Sequence, residues 1–197
     1  MDQAQANSDT PPTAEQLARL RAALDRPVVL VGLMGTGKST IGKRLASCLD
    51  TPFVDADDAV VEAAQMSIPE IFDRFGEAHF RDGERRVIAR LIDENARSHA
   101  VIATGGGAFV DDQTRALILD KAIAVWLDSD LDTLVERVGR KNTRPLLAGK
   151  DPRAVLADLI EQRRPAYAQA QIRIVSDTGP HTRGVNRIIA ALEEFLA

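Results

Sequence analysis

Residues 32–40 read Gly-Leu-Met-Gly-Thr-Gly-Lys-Ser-Thr, and the first eight satisfy the spacing G-x-x-x-x-G-K-[ST]. This segment constrains the fold more than any other. Glycines at 32, 35 and 37 let the backbone curl until successive N–H groups face one phosphate chain. Lys38 then reaches the β- and γ-phosphates, and the Ser39 hydroxyl is placed to ligate Mg²⁺. Val28 to Val31 is a short apolar run suited to a buried strand. Ser39 to Cys48 has helical spacing, with Ile41, Leu45 and Cys48 on one face expected to meet the core. The helix N-terminus adds N–H groups and dipole to an anion site. A strand, a glycine loop and a helix in that order predict a nucleoside triphosphate site on an α/β fold.

The rest of the chain repeats the alternation. Strands are expected at 52–55, 100–103, 122–127 and 172–175. Helices are expected at 59–66, 68–75, 77–96, 111–119, 130–139, 152–169 and 184–196. Strands separated by helices imply a parallel sheet, here of five strands, covered on both faces. Ligands of such sheets gather at the carboxyl ends of the strands. Residues 1–12 are polar and aperiodic and are expected to be disordered. Thr13 to Gln16 resembles a capping box opening a short helix through about Leu24. Residues 1–25 are thus expected to form a tail, and 26–197 a single domain.

The chain of 197 residues is 45% hydrophobic and 27% charged, ordinary for a globular domain. A formal charge of −4 argues against general binding of nucleic acid or anionic membranes. No run approaches the ~20 apolar residues of a membrane span. The single Cys48 cannot form an internal disulfide, and no leader is apparent, so a cytoplasmic protein is expected; it is also expected to be a monomer.

Acids and arginines supply the candidate chemistry. The third strand ends in Thr104 with no acid, so Asp55, at the end of the second strand, is the expected Mg²⁺ partner. Asp57, two residues on, is placed to orient an acceptor hydroxyl or take its proton. Both could instead cap the next helix, the role expected of Asp58. Gly105-Gly106-Gly107 after the third strand permits close approach of a ligand to backbone. Arg137, Arg140, Lys141, Arg144, Lys150 and Arg153 cluster on an otherwise acidic chain. Arg144 lies in a Pro- and Gly-containing loop that suggests a lid and a contact to the transferring phosphoryl group. Arg81 and Arg163 are suited to bidentate pairing with a substrate carboxylate. Arg81 could also pair with Glu84 at i+3, with Glu84 then orienting it.

Taken together, these residues resemble the shikimate kinases. The resemblance is carried by residues 32–42, Phe53-Val54-Asp55-Ala56-Asp57, Ile71-Phe72, Phe75-Gly76-Glu77, Phe80-Arg81-Asp82-Gly83-Glu84, Ala103 to Gly107, Asn142 to Leu147, and Arg163-Arg164-Pro165-Ala166-Tyr167. It implies a P-loop NTPase of the nucleoside-monophosphate-kinase-like fold with a lid loop. The implied reaction is ATP-dependent phosphorylation of the 3-hydroxyl of shikimate. It further implies that Gly35, Thr36, Gly37, Lys38, Ser39, Thr40, Arg137 and Arg144 bind ATP, with Arg137 against adenine. Asp57, Arg81, Gly105, Gly106, Gly107 and Arg163 would hold shikimate, with Phe72 and Phe80 lining the pocket. Ser39 and Asp55 would serve Mg²⁺, and Lys38, Asp57 and Arg144 would carry catalysis. Thr36 stands where the family often has Ala or Ser. A kinase of another small hydroxy acid such as gluconate is the alternative; it should lack the combined set of Arg81, the triple glycine and Arg163.

Overall fold

The computed structural model describes residues 10–139, 151–176 and 179–197. Five strands form one sheet: β1 (Val28–Val31), β2 (Phe53–Asp55), β3 (Val101–Ala103), β4 (Ile123–Ser129) and β5 (Ile172–Ser176). Their spatial order is β2-β3-β1-β4-β5, and every pairing is parallel. The central strand β1 is buried on both faces, which is why it reads as an unbroken apolar run.

Helices cover both faces, as parallel connections require. They are α1 (Ala14–Ala23), α2 (Lys38–Leu49), α3 (Ala56–Ala64), α4 (Ile68–Glu94), α5 (Asp112–Lys121), α6 (Leu131–Gly139), α7 (Pro152–Tyr167) and α8 (His181–Leu196). One apolar cluster joins α1, α2 and α8 to a face of the sheet through Leu20, Leu45, Leu49, Ile189 and Leu192. The other joins α3, α4 and α7 to the opposite face through Val60, Phe80, Ile88 and Leu156.

Local chemistry explains the boundaries. Thr13 opens α1 with a reciprocal capping box to Gln16, and Ser67 opens α4 in the same way with Glu70. The expected helices 68–75 and 77–96 appear as one element, Ile68–Glu94, kinked at Gly76, whose φ of 79° only glycine adopts easily.

Three expectations change. The segment before residue 26 is not outside the packed body: Leu20 and Leu24 are 2% and 4% exposed within the second cluster, so the expected boundary cuts through core packing. Cys48 is exposed, not packed on the core, because the buried stripe of α2 runs through Ile41, Gly42, Leu45, Ala46 and Leu49. Asp55, not Asp58, caps α3, accepting from the Asp57 N–H at 3.1 Å.

Candidate active site

The carboxyl ends of β1, β2 and β3 bring the candidate residues together. After β1, the loop from Gly32 turns into α2 at Gly37, which adopts φ 89° as the N-cap. Lys38 is 9% exposed and spans the loop, donating from Nζ to the carbonyls of Gly32 at 2.7 Å and Leu33 at 2.8 Å. The ammonium thus lies inside the loop that would surround a phosphate chain. Thr36 is buried and its hydroxyl donates to the Leu33 carbonyl at 2.9 Å, bracing the turn. Ser39 and Thr40, at the first turn of α2, are exposed.

β2 then delivers two carboxylates. Ser39 Oγ donates to Asp55 Oδ2 at 2.7 Å, so the hydroxyl and the carboxylate expected to share a cation are adjacent. Asp55 caps its helix through Oδ1 and meets Ser39 through Oδ2, so the capping and functional readings coexist. Asp57 lies in the first turn of α3, half-buried. Burial, followed by the neighbouring Asp55 charge, pushes its carboxyl above the usual value, with Lys38 pulling the other way. A carboxylate with raised pKa is a stronger proton acceptor than a free one.

Three consecutive glycines after β3 form the opposite wall. A side chain at Gly105 would approach Asp57 Oδ1 to 2.6 Å and Glu84 Oε1 to 3.0 Å. The Gly106 carbonyl accepts from Arg163 Nη1 at 2.8 Å. A side chain at Gly107 would overlap the Arg81 guanidinium. Three neighbouring backbone positions therefore touch an acid from α3, an arginine from α7 and an arginine from α4. At Gly105 and Gly107 only a residue without a side chain allows that approach, whereas a side chain at Gly106 would meet the backbone N of Met34 in the phosphate loop at 3.3 Å.

Arg81 is held from behind. Its Nη1 donates to Glu84 Oε2 at 2.5 Å, and its Nη2 lies 3.3 Å from Glu77 Oε1. Glu84 is 2% exposed, and this desolvation raises its carboxyl pKa despite the opposing Arg81 charge. Phe80 is buried and Phe72 half-buried, with ring centroids 4.6 Å apart, beside Arg81. The Arg81 guanidinium sits 5.0 Å from the Phe80 centroid.

On the far side of the loop, Arg137 of α6 reaches Ser176 at the end of β5, Nη1 to Oγ 3.4 Å. Arg153 pairs at the surface with Asp132, 2.6 Å, as a solvated charge. Arg144 and the expected lid lie outside the described residues, as do Arg140, Lys141 and Lys150.

Two contacts escaped the sequence. Tyr167 donates its hydroxyl to the same Gly106 carbonyl as Arg163. The signal was present, because Arg163 and Tyr167 are four apart on one helix and share a face. His181, opening α8, lies against the loop: its Cε1 would be 3.4 Å from a side chain at Gly37. No spacing rule links a residue 144 positions away to the loop, and only the fold brings them together.

The comparisons with known proteins agree with this geometry. A family model described as shikimate kinase matches residues 34–193. The chain is 53% identical over 185 residues to a shikimate kinase of Novosphingobium aromaticivorans, covering 93% of this chain and 96% of that protein. Among solved structures, shikimate kinase from Acinetobacter baumannii in complex with shikimate superposes with a TM-score of 0.78 and 32% identity, over 89% of this chain and 97% of that one. A gluconokinase from Sinorhizobium meliloti superposes with a TM-score of 0.58 at 16% identity, over 87% of this chain and 94% of that one, and shares the fold alone. The chain is a kinase and belongs to the shikimate kinase family.

Proposed function

We propose that this kinase transfers the γ-phosphoryl group of ATP to the 3-hydroxyl of shikimate. One observation carries the reading: Gly105, Gly106 and Gly107 abut Asp57, Arg163 and Arg81 in turn, beside the phosphate loop. Two guanidiniums from different helices suit a carboxylate. A carboxylate of raised pKa suits a hydroxyl that must lose its proton. Membership of the family and the solved relative that binds shikimate support the choice of acid.

In this reading the loop N–H groups and Lys38 neutralise the phosphates, and Asp57 orients the acceptor oxygen for in-line attack. Arg81 and Arg163 hold the substrate carboxylate against the glycine wall, with Phe72 and Phe80 packing beside it. Arg137 serves the nucleotide, and Arg144 belongs to the proposal as the lid cation. The adjacent Ser39 hydroxyl and Asp55 carboxylate fit Mg²⁺, which keeps water and phosphate oxygens as its other partners. Bound there, the ion would neutralise phosphate charge. A monomeric, cytoplasmic enzyme acting on small molecules completes the proposal; among the described residues, no helix is long and apolar enough to cross a membrane.

Coupled ADP release from Mg-ATP, with shikimate and gluconate as parallel acceptors, tests the reading. Stimulation by shikimate alone is expected. Equal or greater stimulation by gluconate overturns the assignment of substrate.

A further inference from the structure

We infer that Tyr167 is a positioning residue for the acid substrate, acting through the Gly106 carbonyl and Arg163. The inference rests on the proposed shikimate reading and adds a residue to it. Tyr167 closes α7 and is 2% exposed, with its ring stacked on Trp126 at 5.9 Å between centroids. Its hydroxyl donates to the Gly106 carbonyl, which also accepts from Arg163 Nη1 at 2.8 Å. One carbonyl thus joins the phenol, the arginine and the centre of the glycine wall.

This junction has a consequence for the wall. Glycines lack side chains to fix their orientation, and each costs conformational entropy when ordered. Two donors on the Gly106 oxygen hold the Gly106–Gly107 peptide in one plane. Because a trans peptide is planar, this also fixes the Gly107 N–H on the opposite side. The same contact sets the end of the Arg163 side chain, one of the two cations facing the substrate. Burial pushes the Tyr167 hydroxyl up to about 12, so it keeps its proton and remains a donor through the physiological range.

Trp126 anchors the phenol. Its ring faces the guanidiniums of Arg164 at 5.7 Å and Arg173 at 4.9 Å. Both arginines reach Asp128, Arg173 at 2.6 Å and Arg164 at 3.8 Å. Tyr167 therefore ties a cluster on β4 and β5 to the substrate wall, and Tyr167→Phe removes the tie while keeping the ring.

Steady-state kinetics of the full-length protein test the inference, with the melting temperature and the ATP dissociation constant as controls. For Tyr167→Phe, KM for shikimate is expected to rise about tenfold, the size of one lost hydrogen bond. The ATP dissociation constant should stay within about twofold. In an Arg163→Lys background, the effect of Tyr167→Phe should shrink, because the two residues share one acceptor. Unchanged shikimate KM in a variant that still turns over shikimate overturns the inference. Parallel loss of ATP binding also overturns it, by making Tyr167 a residue of the core alone. Absence of shikimate turnover in the unmodified protein instead overturns the substrate reading beneath it.

Discussion

Replacing Glu84 with glutamine separates what this residue does for the fold from what it does for the site. Glu84 is 2% exposed and pairs with Arg81 at 2.5 Å, so its charge is fully desolvated on one side and matched on the other. Burial is the largest influence on its carboxyl and holds the pKa above the ordinary 4.5, with Arg81 opposing. A carboxyl raised in the folded state stabilises the protein below its unfolded pKa. That contribution is lost as pH rises through the folded value. At neutral pH the wild-type protein bears the cost of a buried charge, and glutamine does not. Glutamine in turn gives up a charge-assisted bond of about 1.5–3 kcal/mol. The two effects oppose each other, so folding stability should change by no more than about 1 kcal/mol. That corresponds to about 2–4 °C in Tm for a chain of this size. In the substrate site the loss is expected to outweigh the gain. Arg81 loses the nearer and more buried of its two anions and keeps only Glu77, although an incoming carboxylate also escapes the repulsion of Glu84. The expected net result is a rise of about tenfold in KM for shikimate, or ~1.4 kcal/mol, with KM for ATP unchanged. Thermal melts taken upward from about pH 4 should show Glu84→Gln gaining on wild type as pH rises past the ordinary 4.5. A fall in Tm by more than about 8 °C with an unchanged shikimate KM would refute the reasoning, because Glu84 would then hold the fold and not Arg81.

Asp57→Asn should lower kcat by about 10²–10⁴ while ATP still binds, as isothermal titration would check. In the unmodified enzyme, activity should fall with acid through a pKa above the ordinary 3.8, because burial and Asp55 raise that of Asp57. Lys38→Met removes the buried ammonium from the phosphate loop and should cost about 10²–10⁴ in kcat/KM; a mild effect would remove Lys38 from the site. Deleting residues 1–25 strips Leu20 and Leu24 from the core, each worth at most ~1.5–3 kcal/mol. Denaturant melts should therefore show a loss of several kcal/mol, and an unchanged midpoint would contradict the packing of α1.

Most of the fold was legible because its signals are local. The phosphate loop sits between an apolar run and a helix, both capping boxes are readable from four residues, and Gly76 marks its kink. The pairing of Arg81 with Glu84 was also readable, since residues three apart on a helix meet. What escaped depended on contacts across the chain. The polar start of the sequence masked the burial of Leu20 and Leu24, which pack against α2 and α8 far along the chain. Cys48 is apolar enough for a core, but the stripe of α2 turns away from it toward Leu49. Tyr167 was visible as part of a motif, yet its hydroxyl partner, the Gly106 carbonyl, carries no side chain for a pattern to register. Backbone acceptors are the part of a site that sequence periodicity conveys least.

The account centres on a carboxylate held by Arg81 and Arg163 against the glycine wall. Turnover of shikimate compared with its methyl ester tests this most directly, because the ester keeps the ring and the reacting hydroxyl but loses the charge. A drop of at least about 100-fold in kcat/KM for the ester is predicted, from two lost charge-assisted contacts of about 1.5–3 kcal/mol each. Equal kcat/KM for acid and ester would contradict the account.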